Sequence, residues 1–146
     1  MKIRIRRQAV VLECDPWDMI FGASIVADEE CGEVAVLAEL YRVMSAPKRR
    51  RLHKAWSLAH AHGWMCDDDN SDWLVDALEV SRDHCRAEIV GRIQEDIGLN
   101  SETPKARRAG RTLMRVVQRM DDLSLIVFFY GLGRAEPDAS GGVAFT

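Results

Sequence analysis

The chain has 146 residues, with 20 Lys and Arg against 23 Asp and Glu, which gives a formal net charge of -3. Hydrophobic residues make up 47% and charged residues 29%, a balance typical of a globular domain that excludes collagen, a coiled coil and a disordered chain. No apolar run is long enough to cross a bilayer, and the N-terminus lacks the apolar segment of a signal peptide. We therefore expect a cytoplasmic protein with no membrane partner. Its length suits a single domain, over residues 1–132, followed by a C-terminal tail over residues 133–146.

The first third of the chain carries strand patterns. Residues 2–13 predict a strand, because apolar residues alternate with Arg and are followed by a β-branched run. Asp15 and Pro16 then indicate a short helix to about Ile25, and residues 28–32 indicate a turn. Alternate positions from Val34 to Leu40 are apolar, which predicts a second strand that extends to about residue 43.

The middle of the chain has helical periodicity. Ser45-Ala46-Pro47 signals the start of a helix that stops at Gly63. A second helix is expected from Ser71 to Ile97, with a bend at Gly91, and a third from Thr103 to Met120. The β-branched and aromatic run from Leu123 to Tyr130 predicts a buried strand.

This order of elements predicts an α+β fold. A small, mostly antiparallel sheet of about three strands would be packed on one face by three to four helices.

The cysteines indicate free thiols rather than a disulfide or metal framework. Cys14, Cys31, Cys66 and Cys85 are far apart in sequence, and no C-x-x-C pair is present. A zinc site that combines Cys66 with His53, His60 and His62 is the alternative, but this spacing matches no known type of zinc site. We expect no metal and no cofactor.

Charge is segregated into blocks along the chain. Residues 8–41 hold eight acids and no Lys or Arg, and residues 67–79 hold six acids and no base. Residues 42–54 and 104–119 each hold six basic residues and no acid. A uniformly mixed surface would not show this alternation.

The two basic blocks are the candidate nucleic-acid-binding residues. The first lies at the start of a helix, where cations oppose the helix dipole and an anion would supply the missing charge. The second places Arg at four-residue intervals on one helix, where like charges repel and Arg suits bidentate phosphate contact. Neutralisation by acids within the fold is the competing explanation. The candidates are Lys48, Arg49, Arg50, Arg51, Lys54, Arg107, Arg108, Arg111, Arg115 and Arg119.

Tryptophan is the other residue type that bears on nucleic-acid binding, because exposed indoles stack on bases. Trp56 falls in the apolar stripe of its helix and is expected in the core. Trp64 follows Gly63 in a loop and is the best stacking candidate. The sequence shows no Ser/His/Asp or Cys/His arrangement typical of nucleophilic catalysis, so we expect no catalytic site.

The stretch from Gly32 to Trp56 combines a strand-like segment from Gly32 to Leu40, a basic turn, and Lys54-x-Trp56 at a helix start. In these features it resembles the recombination proteins of the phage lambda Nin region (NinB, or Orf-like) and a neighbouring uncharacterised phage family. Ser45-Ala46 replaces the Arg-Asn usual in those families. The resemblance implies a recombination accessory that binds single-stranded DNA.

Two classes of function remain open. The first is a non-catalytic nucleic-acid-binding accessory protein of a phage or mobile element, with single-stranded DNA as the favoured partner and a homodimer as a possible assembly. The second is a phage protein-interaction module that inhibits a host nucleic-acid or defence complex through its acidic surface. A metal-dependent nuclease that uses the acidic residues is a weaker third alternative. A continuous basic face that joins residues 48–54 to residues 104–119 would favour the first.

Overall fold

The computed structural model describes residues 2–6, 9–13, 33–64, 72–97 and 102–146. In these ranges the fold is α+β with helices dominating, and its strands form two separate antiparallel hairpins. The elements are β1 (Lys2–Arg6), β2 (Ala9–Glu13), α1 (Glu33–Val43), α2 (Ala46–Ala61), α3 (Asp72–Val80), α4 (Arg82–Asp96), α5 (Pro104–Gln118), α6 (Asp122–Gly131), β3 (Ala135–Pro137) and β4 (Val143–Phe145).

Helix α6 lies at the centre of the core. Its residues from Leu125 to Phe128 are fully buried, and helices α1, α2 and α4 pack around it. A helix that is apolar on every side is stable in water only when its neighbours cover all of that surface. Asp121 caps its N-terminus by accepting a hydrogen bond from the Ser124 amide at 3.2 Å.

Trp56 fastens α2 to this central helix. Its ring is 2% exposed, and its Nε1 donates a hydrogen bond to the Phe128 carbonyl at 3.1 Å. Tyr41 and Phe145 contact the same ring, with centroid separations of 5.7 and 5.6 Å. The orientation of α2 is thereby fixed by its apolar face, which leaves its basic residues on the outside.

The C-terminal residues form a hairpin, whereas the sequence predicted a tail with little to bury. Strands β3 and β4 pair in antiparallel register, Ala135 opposite Phe145, and pack against α2 and α1. His53 Nε2 donates to the Asp138 carbonyl at 2.9 Å, and the Asp138 carboxylate accepts from the amides of Ser140 and Gly142. Phe145 packs against Trp56 and holds the hairpin on the core, a contact that the Gly-rich composition of this segment did not indicate.

Two of the predicted strands are helices. Residues 33–43 form α1, because Leu37, Leu40 and Met44 also follow a helical period and bury one face. The run from Leu123 to Tyr130 lies within α6, and a short apolar run has no periodicity that would separate a strand from a buried helix.

Two further elements are divided where the sequence predicted one. The segment predicted as one strand contains two antiparallel strands, Lys2–Arg6 and Ala9–Glu13, with Lys2 opposite Glu13. The long helix from Ser71 to Ile97 is two helices that break at Ser81, whose hydroxyl accepts from the His84 amide at 2.9 Å. Gly91, expected at the bend, lies inside α4.

Helices α2 and α5 begin and end close to their predicted bounds, and both start with Pro in their first turn. The predicted short helix from Pro16 to Ile25 and the predicted turn over 28–32 lie outside the described residues. Among the described residues, no helix combines the length and hydropathy needed to span a membrane.

Candidate nucleic-acid interface

The two basic blocks meet in one groove. Helix α2 packs against α5, and an open groove of about 470 Å³ runs between them. Helix α2 contributes two basic side chains to one wall, and α5 contributes two to the other. The lining residues are Arg51, Lys54, Thr112, Arg115, Val116 and Arg119.

Local sequence explains why cations line both walls. Helix α2 buries Leu52 and Ala55 in the core, so the side chains of Arg51 and Lys54, each one position before, are left exposed at the flank. Helix α5 repeats this arrangement, since Leu113, Met114 and Val117 are buried while Arg115 and Arg119 are exposed.

Four cations and no acid line the groove among the residues that the structure describes. Within the same residues, no carboxylate pairs with Arg51, Lys54 or Arg119. Arg115 donates its Nε to the Arg111 carbonyl, at 3.4 Å. Like charges that line one groove repel one another, and an anion between the walls would relieve that repulsion.

Two uncharged residues of α5, Thr112 and Val116, also line the groove and are half-buried. The Thr112 hydroxyl donates to the Arg108 carbonyl at 3.0 Å. Neither residue was a sequence candidate, because only the packing of α5 on α2 shows that they share a groove with basic side chains.

Lys48 and Arg49, both predicted site residues, are engaged within the fold. Lys48 Nζ lies 2.8 Å from Asp121 Oδ2, at the N-terminus of α6. The Arg49 guanidinium donates to the carbonyls of Arg42 and Met44, at the C-terminal end of α1. The competing explanation, neutralisation by an acid within the fold, therefore accounts for Lys48, whereas Arg49 is held by backbone carbonyls.

The Asp121 carboxylate shows the effect of this pairing. Partial burial acts to raise its pKa, but the hydrogen bonds from Lys48 and Ser124 outweigh burial and hold the pKa below its ordinary value. The carboxylate is therefore charged throughout the physiological range and serves both as a cap and as an ion-pair partner.

The remaining predicted cations lie on α2 or α5 but do not line the groove. Residues four apart on a helix are displaced by about 40° around its axis, so the series Arg107, Arg111 and Arg115 winds around α5 and only its last member reaches the groove. Arg108 lies two turns before Arg115 and extends the same face toward the N-terminus. Arg50 is exposed on α2.

Trp64 lies away from the groove. Its half-buried ring stacks on His62, with centroids 4.6 Å apart, and lines a separate pocket of about 150 Å³ next to the β3–β4 hairpin. The prediction that Trp56 belongs to the core is confirmed. Trp17 lies outside the described residues.

Cys85 is fully buried, and burial, with a smaller effect of Glu88, raises the pKa of its thiol to about 11. The other three cysteines lie outside the described residues, as does the alternative zinc site through its Cys66. In the part of the chain that is described, no three His, Cys, Asp or Glu side chains cluster as metal ligands.

No protein-family model, curated protein or solved structure matches this chain.

Proposed function

We propose that this chain is a non-catalytic nucleic-acid-binding protein whose ligand lies in the groove between α2 and α5. The observation that carries the proposal is the convergence of Arg51 and Lys54 with Arg115 and Arg119 from a block more than fifty residues away. Each block alone has an ordinary explanation as a solvated helix face. Their arrangement on facing walls, with no carboxylate among the described lining residues, supports an anionic ligand that extends along the groove.

The type of cation also supports a phosphate ligand. Three of the four are Arg, whose planar guanidinium contacts two phosphate oxygens at once. Arg115 and Arg119 lie one turn apart on α5, and Arg108 continues the face, so the basic surface follows the helix axis. A linear polyanion matches this shape better than a single small anion does.

The accessory role in recombination or replication, and an origin in a phage or mobile element, rest on the resemblance to NinB-like proteins. Within that stretch, Lys54 lines the groove and Trp56 anchors α2 in the core. The resemblance has a strand-like segment from Gly32 to Leu40, but Glu33–Val43 is a helix here. Because the resemblance implies binding of single-stranded DNA, this is the first ligand to test.

Fluorescence anisotropy with a labelled single-stranded oligonucleotide in low salt tests the proposal. We expect saturable binding that is weakened at least tenfold by the double substitution Arg51→Gln and Lys54→Gln. The matched control is Arg82→Gln with Arg92→Gln, which removes two cations from α4, a helix that does not line the groove.

Absence of binding to single- and double-stranded DNA and RNA at tens of micromolar protein would contradict the proposal. That result would favour the inhibitor alternative, in which acidic residues contact a basic partner. Equal loss in the groove and control variants would show that binding depends on net charge alone.

A further inference from the structure

The groove differs from the usual single-strand-binding surface in what it lacks. Proteins that grip a strand through its bases present aromatic side chains on which those bases stack. Here the lining consists of four cations, Thr112 and Val116, and no described aromatic residue belongs to it.

Four described aromatic rings of α1, α2, β4 and the residues after α2 make contacts outside the groove. Trp56 is buried against α6, and Tyr41 and Phe145 pack on it. Trp64 stacks on His62 and faces the pocket beside the β3–β4 hairpin, which shares no lining residue with the groove. Among the described residues, a base that entered the groove would meet four cationic side chains, Thr112 and Val116.

The Thr112 hydroxyl offers little for base recognition. Its proton is donated to the Arg108 carbonyl, so only its oxygen remains, as an acceptor. The other polar groups of the groove are cations, which phosphate oxygens satisfy along any sequence, whereas among base edges they match only acceptors such as those of guanine. Contacts to base edges would therefore not hold a strand of mixed sequence.

We infer that the groove holds a single strand by its sugar–phosphate backbone, with the bases turned outward and free to pair with a second strand. This inference rests on the proposed function. Phosphates contacted from both walls occupy the groove, and each base, attached on the other side of its sugar, projects from the open mouth. The protein would thus keep a bound strand competent for annealing, which a stacking surface would prevent.

The first test compares three probes by anisotropy at the same low salt: a single-stranded oligonucleotide, an abasic oligonucleotide of equal length, and inorganic polyphosphate of equal charge. The abasic strand should bind within about threefold of the normal strand. Loss of even one stacked base would weaken binding about fivefold or more, so a larger loss overturns the inference.

The polyphosphate probe distinguishes a nucleic-acid backbone from a free polyphosphate as the ligand of the groove. Binding of polyphosphate that is weaker than binding of the abasic strand supports a sugar–phosphate ligand. Tighter binding by tenfold or more would assign the groove to a free polyanion and overturn the strand assignment. Failure of every probe would contradict the proposed function itself, which is a different result from a failure of the abasic strand alone.

The second test measures how fast a complementary strand pairs with an oligonucleotide saturated by the protein, using a fluorescence-quenching pair on the two strands. We expect annealing at least as fast as for the free strand. The Arg115→Gln with Arg119→Gln variant should give the rate of the free strand, and Arg82→Gln with Arg92→Gln should behave as the wild type. Annealing slowed tenfold by saturating wild-type protein would show that the bases are covered and would overturn the inference.

Discussion

The basic side chains at the start of α2 divide into two groups with different physical tasks. Arg49 satisfies carbonyls at the end of α1, where a helix leaves acceptors without partners, and Lys48 neutralises Asp121. Arg51 and Lys54, on the next turn, have no such partner among the described residues and line the groove. Neighbours in sequence thus separate into stabilising and ligand-facing residues.

The substitutions Arg49→Gln and Arg51→Gln separate these two tasks. Arg49→Gln should lower the free energy of unfolding by about 1 kcal/mol, because carbonyls of α1 lose a donor. Arg51→Gln should leave stability within about 0.5 kcal/mol, as expected for an exposed side chain, and should weaken nucleic-acid binding. Denaturant unfolding and anisotropy on both variants check this. Equal effects of the two variants on both quantities would contradict the division.

Asp121 combines a helix cap with an ion pair, and its contribution should depend on pH. Asp121→Ala should lower the free energy of unfolding by about 1 kcal/mol at neutral pH, since α6 loses its cap. The pKa of Asp121 in the folded state lies below the ordinary value of 3.8. Its charged form therefore stabilises the fold above about pH 4, and this stabilisation is lost as the pH falls through the folded-state pKa.

Denaturant unfolding of the wild type and Asp121→Ala across this pH range measures the effect. The difference between the two proteins should shrink as the pH is lowered. Asp121→Asn, which keeps a capping oxygen but not the charge, should show a smaller loss at neutral pH. A difference that stays constant with pH would show that the charge of Asp121 is irrelevant.

At the scale of elements, the sequence predicted helices that have both start signals and periodicity. Helices α2 and α5 have Pro in the first turn and a clear apolar face, and both are present. Helix α6 has no polar face, so its sequence is compatible with either a buried strand or a buried helix. Only its tertiary contacts distinguish the two. In α1, the alternation from Val34 to Leu40 coexists with the helical spacing of Leu37, Leu40 and Met44.

The candidate site was predictable only in part, for a similar reason. Both basic blocks fall on helices that the sequence located. Which cations converge depends on how α2 and α5 pack around α6, and no local pattern contains that information. The four-residue Arg series suggested a straight stripe, but its rotation around α5 carries Arg107 and Arg111 away from the groove.

The apolar stripe of α4 should dominate the stability of its region. Ile89 is 1% exposed, so Ile89→Ala should lower the free energy of unfolding by about 2–5 kcal/mol. Leu78 on α3 is half-buried, so Leu78→Ala should lower the free energy of unfolding by less than Ile89→Ala does. Arg82 is exposed, so Arg82→Ala should change the free energy of unfolding by less than about 0.5 kcal/mol. Thermal denaturation ranks the three variants. A ranking in which Ile89→Ala is no worse than Arg82→Ala would contradict the described packing.

Substitutions at two glycines, Gly131 and Gly91, test how closely α6 packs against α2. A Cβ on Gly131 would lie 2.7 Å from Trp56 Cε2, whereas a Cβ on Gly91 in α4 would meet nothing within 4 Å. Gly131→Ala should therefore destabilise by about 1–3 kcal/mol through overpacking. Gly91→Ala should stabilise by up to about 1 kcal/mol, because Ala favours a helix interior. Denaturant unfolding checks both signs, and a neutral Gly131→Ala would contradict the close approach of the two helices.

At the scale of the whole molecule, a net charge of -3 opposes nucleic-acid binding while the local field of the groove favours it. Exposed acids such as Asp76, Glu79 and Asp83 lie on α3 and α4, helices that do not line the groove. At physiological ionic strength the Debye length is about 8 Å, so distant acids are screened while cations in direct contact with phosphate are not. The local groove should therefore decide binding, and the global charge should matter mainly at low salt.

The salt dependence of single-strand binding is the most direct measurement of whether the groove is the site. Each phosphate contact contributes a slope of about -0.7 to log affinity against log salt, so the four groove cations predict a slope of about -3. Arg115→Gln with Arg119→Gln should bring the slope to about -1.4. Arg107→Gln with Arg111→Gln, on the same helix but outside the groove, should leave it near the wild-type value. A slope that changes equally in both double variants, or in neither, would contradict a binding site between α2 and α5.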